Sequence, residues 1–260
     1  MESTLPTILL FTALGGVLSA LIAGVFLLLS EERRNQIMPH SVSFATGALL
    51  GTALLALIPH AVSGAGPFKV HSIGAALLAG IALFFVLEKF LLWRHCHTEA
   101  VETAHTHEHH RRDASGWLIV VGDGLHNFID GVLIAAAFLT DVHLGIVTTF
   151  AIMAHEIPQE VGNFAVLLHG GFSRRKALLW NMASSLTAVL GGVVGWLAFR
   201  EAMALLPYAL AVAAASLLYV AVADLIPGLH KRTDLRASVF QVVWIAVGVS
   251  LVMVAEAQLH

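Results

Sequence analysis

Two short polar runs carry side chains that together could bind a metal ion. They read HNFIDG and HEIPQEVG and lie in stretches that are otherwise apolar enough to cross a bilayer. The imidazoles, carboxylates and amides that they offer belong to His126, Asn127, Asp130, His155, Glu156, Gln159 and Glu160. Such donors suit Zn²⁺, and also Fe²⁺, Mn²⁺ or Cd²⁺, whereas the lack of a thiolate disfavours Cu⁺.

The helical repeat places each polar run on one face of a helix. At about 100° per residue, the polar residues from Asp123 to Asp130 fall within an arc of about 100°, and those from His155 to Asn163 within about 140°. One charged side chain at the bilayer centre costs roughly 2.5 to 3.5 kcal/mol, so both faces have to avoid lipid. We therefore expect the two helices to face each other, with a bound dication offsetting the cost.

The composition predicts an all-α polytopic membrane protein. Hydrophobic residues make up 58% of the chain and charged ones 12%, against about 45 to 50% and about 25% in soluble domains. The net charge of −3 gives no reason to expect a nucleic-acid partner. We expect residues 1–260 to form a single transmembrane domain, with the first apolar run retained as a span. The eight expected spans are roughly 5–29, 41–63, 71–93, 116–139, 143–169, 177–199, 204–227 and 237–257.

Basic residues predict how these spans are oriented. Twelve of the fourteen Lys and Arg residues fall in the odd-numbered loops, and the remaining two are Lys69 and Arg200. Loops rich in Lys and Arg stay in the cytoplasm. We therefore expect both termini to lie outside the cytoplasm.

A weak internal similarity predicts an inverted repeat. The run LLGTALLALIPH begins at Leu49 and the run LLYVAVADLIPG begins at Leu217, and six of the twelve aligned positions are identical. The topology above makes the two runs cross the bilayer in opposite directions. Spans 1–3 and 6–8 would then be inverted halves around spans 4–5, an arrangement common in transporters.

The polar runs are also compatible with three roles besides transport. The first is hydrogen bonding between helices, which in membranes contributes about 0.6 kcal/mol per bond. The second is a metal-dependent hydrolase within the membrane, with Glu160 as its base. Its usual motif, HExxH, would need a histidine where Gln159 stands, and Pro158 is expected to kink and partly unwind the helix. The third is a metal sensor that does not transport.

The two motifs resemble the signature of the ZIP (Zrt/Irt-like) family of divalent metal transporters. HEIPQEVG begins 29 residues after HNFIDG begins, and the run PYALAVAAASLLYVAVADLIP near span seven extends the likeness along the chain. The chain is most similar to the LIV-1-type branch, whose second motif is usually HEIPHE. The resemblance implies uptake of metal, zinc first, into the cytoplasm by a protein that is not an enzyme. The metal is then the transported substrate and not a catalytic cofactor.

The resemblance also implies a binuclear centre between spans four and five. Its first site would comprise His126, Asp130, His155 and Gln159, and its second site Asn127, Asp130 and Glu156, with Asp130 bridging. Gln159 departs from the branch, where histidine is usual, and so changes one ligand from a nitrogen to an amide. Further candidates along the pathway are Asp123, Glu160, Asn163, Asn181 and Asp224.

The expected partners are divalent metal ions and the lipid bilayer, and a homodimer is left open. A compact chain of this length fits a bacterial plasma membrane.

Gly131 and Gly162 follow the two motifs, and we expect them to let spans four and five pack closely.

Residues 94–115 predict a His-rich cytoplasmic loop that binds metal weakly. Its histidines are His95, His97, His105, His107, His109 and His110. Clusters of this kind bind metal through alternating imidazoles and not through a preformed cage. The loop would act as a receiver or as a sensor of internal metal.

Zinc binding by a peptide of residues 94–115 should weaken as the pH falls from about 7 to about 5, because imidazole takes up a proton in that range and loses its free lone pair. Calorimetric titration at both pH values measures this, with a peptide in which alanine replaces the histidines as the control. Equal affinity at the two pH values would contradict the expectation.

Overall fold

The computed structural model describes residues 4–100 and 108–258, and gives the backbone alone for Pro67, residues 90–100, residues 108–116 and Leu118. The described parts of the chain contain helices and no strand. The α-helices are α1 (Thr4–Ala13), α2 (Ser19–Phe26), α3 (Glu31–Gly51), α4 (Ile58–Ala65), α5 (Val70–Ala100), α6 (Glu108–Thr140), α7 (Val142–His169), α8 (Arg174–Ser185), α9 (Thr187–Arg200), α10 (Leu206–Tyr219), α11 (Ile226–Leu229) and α12 (Leu235–Ala257). The all-α prediction is therefore confirmed.

Within the described ranges, seven helical stretches are long and apolar enough to cross a membrane. They are Thr4–Phe26, Glu31–Ala65, Val70–Lys89, Ile119–Thr140, Arg174–Arg200, Met203–Leu229 and Leu235–Ala257. They overlap seven of the eight expected spans. Helix α7 covers the remaining one, at residues 143–169, but the polar run from His155 to Glu160 lowers its hydropathy below that of the others.

Three of the membrane-length stretches contain a π-helical segment, at Leu14–Leu18, Thr52–Leu57 and Val220–Leu225. In the second and third segments, the N–H of Ile58 donates to the carbonyl of Ala53 and that of Ile226 to Ala221, each five residues back. A proline follows at once in both cases, as Pro59 and Pro227. Proline has no N–H to donate to the preceding turn. The change to hydrogen bonds that span five residues lets each helix continue up to its proline without a break.

The predicted unwinding at Pro158 is wrong. Helix α7 runs continuously from Val142 to His169 with this proline inside it. Membrane helices tolerate proline because neighbouring groups and small local adjustments satisfy the backbone carbonyl that it leaves free.

Helix α6 is held between α7 and α9. It packs closely on α9, where glycines let the two backbones approach each other. A Cβ on Gly131 would collide with the carbonyl of Ala188, and one on Gly191 would collide with the carbonyl of Phe128. Gly131 therefore serves the contact with α9, and not the expected contact with α7. A Cβ on Gly162 would touch no neighbour in the described part of the chain, so its expected packing role is also wrong.

The predicted loop at residues 94–115 is partly helical. Helix α5 continues to Ala100, and α6 begins at Glu108. Both helices therefore extend beyond the apolar segments on which their prediction was based. Residues 101–107 and the side chains of all six loop histidines lie outside the described part, so the loop as a metal-binding region stays a prediction.

Gly191→Ala should lower the melting temperature of the detergent-solubilised protein, because the new methyl group forces α6 and α9 apart. Overpacking of this kind costs about 1 to 3 kcal/mol. The matched control is Gly162→Ala, which adds the same methyl group where nothing lies within 4 Å and removes a helical glycine at a gain of up to about 1 kcal/mol. Equal melting temperatures for the two variants would contradict this account of the α6–α9 contact.

Candidate metal centre

A short connection brings the two polar runs together. Helix α6 ends at Thr140 and α7 begins at Val142. Asp141 between them caps α7, and its carboxylate accepts hydrogen bonds from the backbone N–H groups of His143, at 2.8 Å, and Leu144, at 3.1 Å. The cap satisfies N–H groups that the first turn of a helix leaves free. The chain therefore reverses within one residue, and the polar faces of α6 and α7 meet.

Four side chains converge where these faces meet. They belong to His126 and Asp130 on α6 and His155 and Glu156 on α7, and one ligand atom from each lies within 4.8 Å of all the others. The Nε2 atoms of the two histidines are 3.2 Å apart. Each Nε2 lies 3.5 to 3.7 Å from an oxygen of Asp130 and from an oxygen of Glu156.

These separations fit a metal ion placed between the four atoms. Ligands held about 2.0 to 2.1 Å from a tetrahedral zinc lie about 3.3 Å from one another. The two nitrogens are already at that spacing, and each oxygen lies only a few tenths of an ångström farther than this from either nitrogen. In addition, Nδ1 of His155 lies 3.4 Å from the carbonyl oxygen of Ala151. A hydrogen bond there fixes the proton on Nδ1 and leaves the lone pair on Nε2 free for a metal.

The carboxylates of this cluster are deeply buried. Asp130 is 1% exposed and Glu156 is fully buried. Among the residues that the structure describes, none donates a hydrogen bond to either oxygen of Asp130. An unpaired buried carboxylate is strongly disfavoured, whereas a cation shared by both acids would satisfy it. Hydrogen bonding between the helices therefore does not account for Asp130.

The two amides expected at the centre lie beside this cluster. Asn127 is 1% exposed, and its Nδ2 donates to the backbone carbonyl of Asp123 at 3.2 Å. Gln159 follows His155 by one helical turn, and its Nε2 lies 3.4 Å from Oδ1 of Asp123. Both amide nitrogens are thus engaged by Asp123, which leaves the amide oxygens as the free ends.

Four of the five pathway candidates form two groups of hydrogen-bonded side chains, one around Asp123 and one around Glu160. Asp123 accepts from Asn163 Nδ2 at 2.6 Å and from the hydroxyl of Ser184. Glu160 accepts from Ser185 Oγ at 2.7 Å through Oε1, and the amide of Asn181 donates to the backbone carbonyl of Glu160 at 3.1 Å. Asn181 on α8 therefore makes a hydrogen bond to α7. The sequence alone did not predict the contact between Ser184 and Asp123, which lie 61 residues apart in the chain.

A cavity of about 400 Å³ reaches the cluster from one side. His126 lines it and is the most accessible of the four converging side chains, at 22% exposed. The other polar residues in its wall are Glu88, Asp123, Gln159, Asn163, Tyr219 and Asp224. The cavity thus connects Asp224 with the metal-binding side chains. The sequence analysis did not include Glu88 and Tyr219 among the candidate residues. Glu88 could have been found, because it is a lone acid near the end of an apolar span. The Tyr219 hydroxyl donates to the Glu88 carboxylate.

Comparison with known proteins identifies the family. The family described as "ZIP Zinc transporter" matches residues 93–256, which is more than half of the chain. The chain belongs to the ZIP family. The matched region contains both polar runs and all four converging side chains, so the resemblance noted from HNFIDG and HEIPQEVG is confirmed.

Several curated ZIP proteins are similar to this chain. Zinc transporter ZIP4 of Mus musculus is 34% identical over 263 residues, which cover 78% of this chain and 40% of the relative. Zinc transporter ZIP10 of Danio rerio is 39% identical over 132 residues, covering 48% of this chain and 16% of the relative. Zinc transporter ZIP13 of Pongo abelii is 30% identical over 220 residues, covering 80% and 63%. The chain thus spans less than two thirds of the length of each of these relatives. Family membership and the apolar helices make it an integral membrane protein.

Zinc should raise the melting temperature of the purified protein, since a ligand at a hundredfold its Kd adds about 2.7 kcal/mol to the stability of the folded state. Asp130→Asn should remove most of this shift. Its melting temperature without zinc should stay equal or rise, because the variant removes a buried carboxylate that accepts no hydrogen bond. Glu201→Ala, which removes an acid that is 77% exposed, serves as the control. A full zinc shift in Asp130→Asn would contradict the assignment of this residue.

Proposed function

We propose that this ZIP protein moves divalent transition-metal ions, zinc first, across a membrane into the cytoplasm. The observation that carries the proposal is the convergence of His126, Asp130, His155 and Glu156 between two buried helix faces, at the end of a cavity. Two imidazoles and two carboxylates suit zinc, and also iron, manganese or cadmium. That ZIP4, ZIP10 and ZIP13 are zinc transporters supports zinc as the first substrate.

The proposed centre holds two metal ions. His126, Asp130, His155 and Gln159 would bind one ion, and Asn127, Asp130 and Glu156 the other. Asp130 can bridge because both of its oxygens are free of hydrogen bonds. Asn127 can contribute its amide oxygen because its nitrogen is bound to the backbone of α6.

We propose eight spans, with α7 as the fifth. Its 28 residues extend about 42 Å at 1.5 Å per residue, which is more than the roughly 30 Å of a bilayer core. Helix α7 packs against α2, α3 and α6, all of which belong to membrane-length stretches. Its polar side chains therefore lie against protein, which removes the objection raised by its lower hydropathy.

The π-helical segments support the proposed inverted repeat. In the alignment of the runs that begin at Leu49 and Leu217, position 52 pairs with 220 and position 57 with 225. The π segments Thr52–Leu57 and Val220–Leu225 therefore occupy matching positions, each directly before an Ile–Pro pair. A shared backbone irregularity adds evidence that does not depend on the abundance of leucine and alanine.

The proposed direction of transport, into the cytoplasm, is the one that the membrane potential favours. The cavity reaches His126 past Ile119 and Gly122, on the side of α6 that leads back to the His-rich segment. Basic residues place that segment, with the odd-numbered loops, in the cytoplasm, and hence both termini outside. A bacterial plasma membrane is the proposed location. A dication entering a cell gains roughly 4.6 kcal/mol per 100 mV, at about 2.3 kcal/mol per charge.

The hydrolase alternative is less well supported. A general base has to reach a water molecule on the metal. Glu160, the candidate base, is fully buried, is bound to Ser185 on α8 and does not line the cavity. Transport and sensing both agree with this geometry, and uptake measurements separate them.

Tracer zinc uptake into proteoliposomes tests the proposal. The wild type should accumulate zinc, whereas His126→Ala and Asp130→Ala should lower the initial rate at least about tenfold, in line with the cost of losing a metal-binding group. Glu201→Ala is the control for reconstitution. Absence of uptake by the wild type would overturn the transport function, and wild-type rates in both site variants would overturn the site.

A further inference from the structure

The strongest unexplained feature outside the four converging side chains is the set of hydrogen bonds around Asp123. This residue is 6% exposed and precedes His126 by one turn of α6. Its Oδ2 accepts from Ser184 on α8, and its Oδ1 accepts from Asn163 and Gln159 on α7. Both carboxylate oxygens therefore have donors, unlike those of Asp130.

These bonds make Asp123 a poor metal ligand. To bind an ion directly, its carboxylate would have to give up the amide of Asn163 or the hydroxyl of Ser184. A hydrogen bond to a charged group is stronger than one between neutral groups, and the separated donors would be left buried. Asp123 lines the cavity, but this position alone is therefore not sufficient reason to assign it as a metal ligand.

The contact with Gln159 determines which end of that amide is free. A carboxylate only accepts hydrogen bonds, and an amide donates only through its nitrogen. With Nε2 of Gln159 held at Asp123, its Oε1 has to point elsewhere. Gln159 lies one turn beyond His155 and lines the same cavity as His126, so a free Oε1 can turn to the metal-binding side.

We infer that Asp123 is a positioning residue, which orients Gln159 so that the amide presents oxygen to the transported metal. The inference rests on the proposed function. It makes position 159 an oxygen ligand held in place by a carboxylate, as metal-binding histidines are held by carboxylates in other proteins. The backbone carbonyl of Asp123 engages Asn127 in the same sense, so one residue orients both amides.

A reciprocal exchange of donor and acceptor tests the inference by tracer zinc uptake in proteoliposomes. Asp123→Asn should raise the KM for zinc about tenfold, within the range for loss of a supporting partner, with a smaller effect on the maximal rate. Adding Gln159→Glu should restore the KM to within about threefold of the wild type. The new amide at position 123 can then donate to the new carboxylate at position 159, whose second oxygen faces the metal.

The matched control separates orientation from charge. Asp123→Asn with Asn163→Asp also restores the net charge beside the same carboxylate position. Because Gln159 and Asn163 contact the same oxygen of Asp123, the carboxylate at position 163 draws the nitrogen of Asn at position 123 to that side, and Gln159 loses its acceptor. Its KM should stay as high as that of Asp123→Asn. Equal rescue by both double variants would overturn the inference in favour of charge alone, and rescue by neither would overturn it in favour of a structural or directly ligating role.

A second measurement covers the case in which Asp123→Asn does not fold. Asp123→Glu keeps the negative charge and the accepting carboxylate but moves that carboxylate to a new position. It should raise the KM for zinc severalfold in the wild-type background. In a Gln159→Ala background the same change should raise the KM by less than about twofold, because the effects of coupled residues are not additive. Additive effects would overturn the inference. Loss of zinc uptake by the wild type itself would instead count against the transport function, so the two failures are distinct.

Discussion

Two carboxylates buried between α6 and α7 set the central constraint on this structure. Asp130 and Glu156 are almost completely inaccessible, and no residue in the described ranges donates a hydrogen bond to Asp130. Removing one partner from a buried ion pair costs about 3 to 5 kcal/mol, because the remaining charge stays uncompensated. A protein that keeps such groups at membrane depth needs both a cation to neutralise them and a rigid framework to hold them together.

The framework comes from backbone contacts that do not involve the metal-binding side chains. Gly131 and Gly191 bring α6 against α9, and the capping residue Asp141 turns the chain directly into α7. Behind the cluster, Ser184 and Ser185 on α8 hold Asp123 and Glu160. Each acid is thus either bound by hydroxyl and amide donors or directed at the same point as two imidazoles. This division separates the acids that support the centre from those that can bind metal.

The sequence was sufficient to predict the facing helices and the four converging side chains. Spacing along a helix fixes which face a residue occupies, and polar faces in apolar helices have to meet. Spacing does not reveal which neighbouring helix a residue touches. Gly131 was therefore assigned to α7 when it packs on α9, and the contacts of Asp123 with Ser184 and of Tyr219 with Glu88 were not foreseen. A proline in the sequence also does not determine whether its helix is distorted. Helix α7 is continuous through Pro158, whereas the helices before Pro59 and Pro227 contain π segments.

The unequal exposure of the four converging side chains has a kinetic consequence. His126 borders the cavity, whereas His155, Asp130 and Glu156 are each no more than 1% exposed. Water can therefore approach an ion in the proposed centre only from the side of the cavity, which His126 and Gln159 line. Rehydration would then begin at these two ligands and reach the buried carboxylates last. The dwell time of an ion in the protein would depend on how fast these two ligands exchange with water, and not only on the total strength of the site.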